Sequence, residues 1–483
     1  MQRTIAVVGG GAAGVILSAH LVRAAASPGP HRQVRVLLIE PAETPGRGLP
    51  YRTTDPRHTL NAVVARLSAF DDDPEHLLRW CASAGVPAEP GTFLQRSDFG
   101  RYLTELLGSV PVPAGSAVEH VRGTVVDVVD GPGPVGGSGD GVADAGAGVT
   151  LTLADGTALR ADAAVLALGT PPPVRLPEYE AWGERYVADP WSPDLDERAA
   201  GARRVLVVGT GLTTLDVVAH LHPLLPGATF TAVSRGGALP AAHAADPLPP
   251  AVEVDLGGAP GHEPRDGPGG APGGALDGAV DVVRRRVAAE RAAGRDWRAV
   301  IDAVRPQVNP AWSRLTADEQ AAFQREHARS WENVRHRMSH AMRTHVDELL
   351  ADGVLTVSTV DAVVGGPGGA GPDTSAFDLV VGATGLPALT SPGWNPLVDA
   401  LVARGTMRPH RLGTGLDLTP DAALVDAAGV GHPRLRAMGL ARRGLEWECT
   451  SVPDLRRQAA RLAEDLLAED LLAEDLPTDR LPG

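Results

Sequence analysis

Residues 5–14 read Ile5-Ala6-Val7-Val8-Gly9-Gly10-Gly11-Ala12-Ala13-Gly14. A short apolar run leads directly into a turn with the spacing Gly-x-Gly-x-x-Gly, and a helical pattern follows over residues 15–26. A second apolar run, residues 34–39, ends in Glu40. The order of strand, glycine turn, helix, strand and acid is typical of a dinucleotide-binding unit.

Each part of this unit has a physical role in holding a dinucleotide. Gly9 permits the tight turn out of the strand, Gly11 lets a pyrophosphate approach the backbone, and Gly14 lets helix and strand pack closely. The helix N-terminus offers N–H groups and a partial positive charge to the phosphates. Glu40 can accept hydrogen bonds from ribose hydroxyls. An ordinary glycine turn is the alternative, but it does not account for the strands and the acid around it.

The composition narrows the classes of protein that the chain can belong to. Its 483 residues allow two or three domains, and its net charge of −15 argues against a nucleic-acid partner or an anionic membrane. All 44 basic residues are arginine, which excludes Schiff-base and lysine-nucleophile chemistry. Cys81 and Cys449 form no Cys-x-x-Cys motif, so we expect no metal site and no dithiol redox centre. The chain begins directly with a strand and lacks a long apolar run, so we expect a cytoplasmic protein without a signal peptide or membrane span.

A second strand, turn and helix begin at Val205 and continue through Gly209-Thr210-Gly211-Leu212-Thr213-Thr214. The match is imperfect, because Thr214 stands at the third glycine position. The next apolar run, residues 229–233, ends in Ser234-Arg235 instead of an acid. An arginine pairs with a 2′-phosphate that a carboxylate would repel, which favours NADPH over NADH. The alternative is that Arg235 is an ordinary surface arginine.

Two nucleotide sites in one chain predict an α/β fold with two Rossmann-like dinucleotide-binding domains. We expect FAD to be held permanently by the first domain and NADPH to visit the second and reduce it. The FAD-binding domain is placed at residues 1–170 plus 376–483, and the NADPH-binding domain is inserted at residues 171–375. The first boundary follows a buried strand that ends in Gly169-Thr170-Pro171, because glycine and proline stop a strand.

The inserted domain contains a helical region at residues 280–350. Its apolar residues recur at intervals of three or four and predict one face of a long helix: Trp331, Val334, Met338, Met342, Val346 and Leu349. Three stretches rich in glycine and proline, at residues 131–148, 256–276 and 365–375, predict loops.

The cofactor contacts are assigned from these patterns. A late helix that starts after Ser451 could point its positive end at the flavin and stabilise the reduced anion, or it could be an ordinary capped helix. The residues assigned to FAD are Gly9, Gly11, Ala12, Ala13, Gly14, Glu40, Gly48, Asn61, Gly169, Gly385, Gly439, Ser451 and Val452. The residues assigned to NADPH are Gly209, Gly211, Leu212, Thr213, Thr214, Ser234 and Arg235.

Several motifs together carry a family resemblance: Gly9 to Gly14, Gly48-Leu49-Pro50-Tyr51, Leu60-Asn61, Arg96 to Leu103, Gly209 to Thr213, Ser234-Arg235-Gly236, Trp331 with Arg335 to Met338, Trp447-Glu448 and Val452 to Arg456. With these motifs the sequence resembles, across nearly its whole length, the flavoproteins with two dinucleotide-binding domains of the FAD-NAD(P)-binding class. More distantly it is similar to the flavin monooxygenases that hydroxylate amino-acid amines. One departure is Ala62-Val63, where the family usually has Val-Pro after the asparagine.

The resemblance implies a role in secondary metabolism, and the close family includes enzymes that N-hydroxylate aspartate, which suggests an aspartate-like substrate. The leading hypothesis is therefore an FAD-dependent, NADPH-consuming monooxygenase that N-hydroxylates a small amine or amino acid through a flavin C4a-hydroperoxide. The flavin carries the chemistry, so no catalytic residue is assigned. Dioxygen and a small molecule are the expected partners, and the sequence does not fix the oligomeric state.

Arginines would bind the carboxylates of an amino-acid substrate. The candidate substrate residues are Asn61, Arg66, Arg442 and Arg443, each with a structural role as the alternative. Two other functions stay open for the whole chain. One is a flavoprotein reductase or dehydrogenase that passes electrons to a carrier or quinone, and the other is a non-catalytic protein that binds flavin or NADPH.

Overall fold

A computed structural model describes residues 2–27, 33–131, 148–245, 252–256, 274–363 and 376–468 of the chain. The chain divides into two compact units. The first comprises Met1–Thr54, Ala62–Pro171 and Ala388–Gly483, and the second comprises Asp55–Asn61 and Pro172–Pro387. Each unit is built on a sheet of mainly parallel strands, which confirms the predicted α/β fold with two Rossmann-like domains.

The elements alternate between strands and helices through both units. The strands are β1 (Gln2–Val8), β2 (Gln33–Ile39), β3 (Ala117–Val121), β4 (Val125–Asp130), β5 (Val149–Leu153), β6 (Ala158–Ala161), β7 (Ala163–Leu166), β8 (Tyr186–Val187), β9 (Arg204–Val208), β10 (Thr229–Ser234), β11 (Leu355–Thr359), β12 (Leu379–Gly382), β13 (Ala423–Val425) and β14 (Gly431–Ala437). The α-helices are α1 (Ala12–Ala26), α2 (His76–Ser83), α3 (Arg96–Ser109), α4 (Leu195–Ala199), α5 (Leu212–Leu221), α6 (Ala275–Ala292), α7 (Arg298–Val304), α8 (Val308–Trp312), α9 (Ala317–Glu326), α10 (Ala328–Arg335), α11 (His340–Ala351), α12 (Val360–Val363), α13 (Pro396–Arg404) and α14 (Val452–Ala468). Short 3₁₀ helices cover Val64–Arg66, Pro177–Arg185, Arg305–Gln307 and Gly439–Gly444.

The main sheet of the first unit has six strands in the order β13-β14-β7-β1-β2-β3. Its central strand β1 pairs in parallel with β2 and β7, and its last four residues are buried. Burial on both faces explains why this strand reads as a continuous apolar run. Helix α1 returns from β1 and packs against α14, which brings the C-terminal part of the chain onto the first glycine turn. A separate antiparallel sheet, β4-β5-β6, completes the unit.

The sheet of the second unit has five parallel strands in the order β11-β10-β9-β12-β8. Strand β9 lies at its centre and leads into the second glycine turn, as β1 does in the first unit. Helices α5 and α11 cover this sheet, and their apolar residues share a core with β9 and β10 that includes Leu215, Val218, Met342 and Val346.

The domain boundaries differ from the predicted ones in two places. Strand β12 pairs with β9 and β8, so the boundary lies between Pro387 and Ala388 and not at residue 376. The short segment Asp55–Asn61 belongs to the second unit although the chain on both sides of it belongs to the first. Strand pairing decides the first point, and side-chain hydrogen bonds from His220 and His243 hold the segment of the second. Neither kind of partner can be predicted from the local sequence.

The long helix predicted across residues 331–349 is wrong. The chain leaves the helical conformation at His336 (φ −93°, ψ 81°), and α11 begins after Ser339, whose hydroxyl accepts from the N–H of Met342 at 3.3 Å. The apolar stripe therefore serves two cores. Trp331 packs with Val300 and Val304 of the helical region, whereas Met338 and Met342 pack on the sheet.

The loops predicted from glycine and proline content fall largely outside the described residues, at 132–147, 257–273 and 364–375. Within the described part of the chain, no helix is both long enough and apolar enough to cross a bilayer.

Candidate functional site

The first glycine turn has the geometry that a bound dinucleotide requires. Gly9 has a φ of +105°, and a Cβ placed on it would lie 2.4 Å from the carbonyl oxygen of Ala167. A Cβ on Gly14 would lie 1.9 Å from the carbonyl oxygen of Gly9, so α1 touches the turn itself. Gly11 is the N-cap of α1 and provides no side-chain cap, so the N–H groups of the first turn, at Ala12 and Ala13, face the half-exposed end of the helix.

A second glycine loop lies against this turn. The N–H of Gly46 donates to the carbonyl oxygen of Gly10 at 2.7 Å, which holds the loop in place. A Cβ on Gly48 (φ +53°) would lie 3.3 Å from the Cα of Gly11. Gly11 and Gly48 therefore lie close together at the tip of α1 without side chains between them. The absence of side chains is what the close approach of a pyrophosphate to the backbone requires.

Glu40 ends β2 next to the same turn. Its carboxylate accepts from the N–H of Gly10 at 2.7 Å and from the N–H of Ala42 at 3.0 Å. A carboxylate has about four acceptor positions, so two are left for ribose hydroxyls while the backbone bonds fix its orientation. Gly169 (φ +74°) follows β7 at the same edge of the sheet.

The C-terminal part of the first unit adds Gly439 to this cradle. Gly439 has a φ of +72°, and a Cβ on it would lie 3.9 Å from the Cβ of Ala13. Its N–H donates at 3.0 Å to Gln458 on α14, and the amide of Gln458 donates to Glu446 at 2.8 Å. These bonds join the predicted FAD residue Gly439 to α14, whose first residue, Val452, is buried.

The two late arginines that we considered for substrate have different surroundings. Arg442 is 4% exposed and donates to Glu446 at 2.6 Å, in the same network as Gln458. This contact gives Arg442 a structural role, and we do not propose it for substrate. Arg443 is half-buried, with its guanidinium 4.0 Å from the ring centre of Trp447. Arg66 is exposed at the end of the 3₁₀ helix Val64–Arg66.

The N-terminus of α14 is capped more heavily than the sequence analysis anticipated. Ser451 donates through its hydroxyl to the carboxylate of Asp454, and its N–H donates to the same carboxylate at 3.3 Å. Asp454 is 3% exposed. A buried carboxylate in the first turn offsets part of the positive helix end, so the dipole alone is a weak source of stabilisation for a flavin anion.

In the second unit, Gly209 repeats the role of Gly9. It has a φ of +139°, and a Cβ on it would lie 2.1 Å from the carbonyl oxygen of Ala383. Gly211 is the N-cap of α5 without a side-chain cap, and the half-exposed Leu212 and Thr213 begin the helix. Thr214 replaces the third glycine and is fully buried, and its hydroxyl has no hydrogen-bond partner among the described residues.

Gly385 follows β12 at this turn, as Gly169 follows β7 in the first unit. Its assignment to FAD depended on placing β12 in the FAD domain, and β12 pairs with β9 of the second unit. Gly385 thus lies in the second unit beside the second glycine turn, and its assignment to FAD stays a prediction.

The end of β10 lies beside the second glycine turn. The hydroxyl of Thr210 donates to the hydroxyl oxygen of Ser234 at 2.8 Å, and the N–H of Gly237 donates to the same oxygen at 3.1 Å. Arg329 on α10 donates to the hydroxyl oxygen of Thr210 at 3.2 Å. Arg235 is exposed, and within the described residues it makes no hydrogen bond or ion pair. Sequence reasoning missed Arg329, because it lies about 120 residues from the turn.

The segment Asp55–Asn61 is held to the second unit by two histidines. Both ring nitrogens of His220 bond to carboxylates, at 2.7 Å to Asp55 and 2.6 Å to Asp196. Burial works against the charged ring, but these bonds outweigh it and raise the pKa of His220. His243 donates through Nε2 to the carbonyl oxygen of Asn61 at 2.9 Å, and burial lowers its pKa to about 4.

Asp55, His58 and His220 bring three potential metal ligands within 4.8 Å of one another. Arg57 donates to both carboxylate oxygens of Asp55, at 2.8 and 2.7 Å. The guanidinium of Arg57 already occupies the carboxylate of Asp55, and the imidazole of His220 is bonded to two carboxylates. A metal needs neutral imidazole, so these contacts favour an ion-pair network over a cation site.

The cysteines are both buried and free. Burial raises the pKa of the Cys449 thiol to about 12, so this side chain is not a thiolate at neutral pH.

Each of the two glycine turns lies at the carboxyl ends of parallel strands, and this fold is of the class that binds dinucleotides. Residues 6–171 match the family model described as FAD-NAD(P)-binding. Among curated proteins, no sequence matches the chain.

Three solved structures share the fold over nearly the whole chain. Cadaverine monooxygenase DfoA from Erwinia amylovora, bound to FAD, is 12% identical with a TM-score of 0.57, covering 100% of this chain and 99% of that one. Ornithine hydroxylase PvdA from Pseudomonas aeruginosa is 14% identical with a TM-score of 0.54, covering 97% and 99%. Ornithine N-hydroxylase KtzI from Kutzneria sp. 744, with reduced FAD, NADP⁺ and L-ornithine, is 15% identical with a TM-score of 0.53, covering 96% and 99%.

Proposed function

We propose that this protein is an FAD-dependent, NADPH-consuming monooxygenase that N-hydroxylates a small amine or amino acid. The observation that carries the proposal is the presence of two glycine turns on two parallel sheets, one beside Glu40 and the other beside Ser234-Arg235. An acid suits ribose hydroxyls, and an arginine suits a 2′-phosphate.

The first unit supplies what an FAD needs. The N–H groups at the start of α1 bind the pyrophosphate, and the bare backbone of Gly11 and Gly48 lets it approach. Glu40, oriented by the N–H groups of Gly10 and Ala42, accepts from the ribose. The match of residues 6–171 to the FAD-NAD(P)-binding family model supports this part of the proposal.

The second unit supplies what NADPH needs. The uncapped N-terminus of α5 binds the pyrophosphate next to Gly209 and Gly211. Arg235 is exposed and has no partner among the described residues, so its guanidinium is available to a 2′-phosphate.

The reaction itself belongs to the flavin, which when bound takes a hydride from NADPH and activates dioxygen. The protein binds and orients the reactants. The solved structures of similar fold act on ornithine and cadaverine, which supports an amine nitrogen as the acceptor of oxygen. For an aspartate-like substrate, Arg66 and Arg443 are the cations that we propose for its carboxylates.

A substrate screen tests the proposal. Purified full-length protein with FAD is mixed with NADPH in air, and each amino acid or small amine is scored by faster NADPH consumption and by hydroxylamine formation. We expect at least one compound to give both signals. NADPH consumption that needs an artificial electron acceptor, without hydroxylamine, would instead indicate a reductase. A protein that stays colourless with added FAD would contradict any flavin function.

A further inference from the structure

The helical region inserted in the second unit places Arg329, near the start of α10, beside the second glycine turn. We infer that Arg329 is a second guanidinium for the 2′-phosphate of NADPH and acts together with Arg235. The inference rests on the proposed function, because it specifies how the proposed NADPH site distinguishes its ligand from NADH.

Hydrogen bonds locate Arg329 relative to the end of β10. Its Nη2 donates to the hydroxyl oxygen of Thr210 at 3.2 Å, and Thr210 donates to the hydroxyl oxygen of Ser234 at 2.8 Å. Arg329 is therefore two hydrogen bonds from Ser234, the residue that precedes Arg235. In a Rossmann-like unit the end of this strand is where the adenosine ribose and its 2′ substituent lie.

Most N–H donors of the Arg329 guanidinium have no protein acceptor within the described residues and can bind a ligand. A guanidinium has five N–H donors, and the bond to Thr210 is the one that Arg329 makes through its side chain within the described residues. Its side chain is exposed and forms no ion pair with a carboxylate there. Two arginines without acidic partners, on one net-acidic chain, indicate a site for an anion.

The bond to Thr210 also orients Arg329 in advance. Thr210 is 1% exposed, so its hydroxyl has a fixed position, and a guanidinium tied to it loses less freedom when a phosphate arrives. A phosphomonoester carries about two negative charges at neutral pH, which two guanidiniums balance.

A bracing role is the alternative to this inference. In that case Arg329 would only hold Thr210 and the glycine turn, and its loss would weaken NADP⁺ and NAD⁺ equally. The two roles are distinguished by this ligand pair, because NADP⁺ and NAD⁺ differ only in the 2′-phosphate.

The test measures binding of NADP⁺ and NAD⁺ by isothermal titration calorimetry to purified full-length protein with FAD. The variants are Arg329→Gln, Arg235→Gln and the control Arg325→Gln, an exposed arginine on neighbouring α9 that pairs with Glu326 at 3.6 Å. We expect Arg329→Gln and Arg235→Gln each to weaken NADP⁺ about tenfold and NAD⁺ less than about twofold. Arg325→Gln should change neither affinity, and unchanged melting temperatures show that all three variants fold.

The possible contrary results have separate meanings. Wild-type affinity for NADP⁺ in Arg329→Gln, with a loss in Arg235→Gln, would overturn the role of Arg329 and leave the NADPH site intact. Equal losses of NADP⁺ and NAD⁺ in Arg329→Gln would establish the bracing role instead. If the wild-type protein does not prefer NADP⁺ to NAD⁺, the proposed NADPH site fails and this inference fails with it.

Discussion

Gly14 has no room for a side chain, and this single residue shows how the first nucleotide site is built. Its added Cβ would lie 1.9 Å from the carbonyl oxygen of Gly9 and 3.2 Å from Val7. The helix start, the turn and the strand therefore meet at one point. In the second unit the corresponding residue is Thr214, so helix and strand there accommodate a Cβ and a buried hydroxyl.

Replacement of Gly14 by alanine should damage both stability and flavin binding. The clash with the carbonyl oxygen of Gly9 must push α1 away from the turn, so we expect Gly14→Ala to lower the free energy of unfolding by about 3 kcal/mol. It should also lower the amount of bound FAD, because the N–H groups of α1 move with the helix. Urea unfolding and the flavin absorbance of purified protein measure the two effects.

The matched control is Gly278→Ala on α6, an exposed helical glycine with no atom near its added Cβ. It should raise stability by about 1 kcal/mol, because alanine favours a helix. A Gly14→Ala variant as stable and as yellow as the wild type would contradict the packing argument.

The segment Asp55–Asn61 is an element whose place in the second unit could not be predicted from the sequence. It lies in the second unit, bonded to His220 on α5 at one end and to His243 at the other. The two histidines respond to pH in opposite directions. His220 has a raised pKa and holds two carboxylates when charged, whereas His243 has a pKa of about 4 and is neutral.

The stability of this attachment should therefore decrease on both sides of an optimum near pH 6.5. The stabilisation from His220 is complete below about pH 6.5 and is lost as the pH rises through its raised pKa. The stabilisation from neutral His243 is present above about pH 6.5 and is lost as the pH falls from there through about 4.

Urea unfolding at a series of pH values tests this expectation. His220→Gln should flatten the decrease on the alkaline side, and His243→Gln should flatten the decrease on the acid side, since Gln can still donate to Asn61. Each variant serves as the control of the other. Wild-type pH profiles in both variants would contradict the assignment.

The two units of the molecule share the same construction around their glycine turns. Each unit has a central parallel strand, a glycine with positive φ after it, and an N-cap glycine without a side-chain cap. Each glycine turn also touches the exit of a neighbouring strand, at Ala167 in one unit and Ala383 in the other. We therefore expect each unit to hold a nucleotide at its own glycine turn.

We expect the two sites to be separable by mutation. Gly11→Val should fill the space next to Gly48 and abolish FAD binding, while binding of 2′,5′-ADP to the second unit persists. Gly211→Val should have the reverse effect, because its side chain would cover the N-terminus of α5. Flavin absorbance and calorimetry with 2′,5′-ADP measure the two sites, and each variant is the control of the other. Loss of both ligands in either variant would argue against two separate sites.

The sequence alone determined the two nucleotide turns, because their chemistry is local. Strand, glycine spacing, helix and the residue that ends the next strand all fall within about 35 residues, and the φ values of Gly9 and Gly209 follow from that order. The apolar runs at Ile5 and Val205 likewise predicted buried parallel strands. The fold class could be read from these features without any tertiary information.

The contacts between residues distant in the chain became known from the three-dimensional fold and not from the sequence. Strand β12 joined the second sheet because β9 pairs with it, and no local pattern states that partner. The break between α10 and α11, the attachment of Asp55–Asn61 and the bond from Arg329 to Thr210 have the same origin. Packing and long-range hydrogen bonds form only when separate elements come into contact. A stretch of sequence therefore predicts which helices and strands form, but it does not predict which of them contact each other.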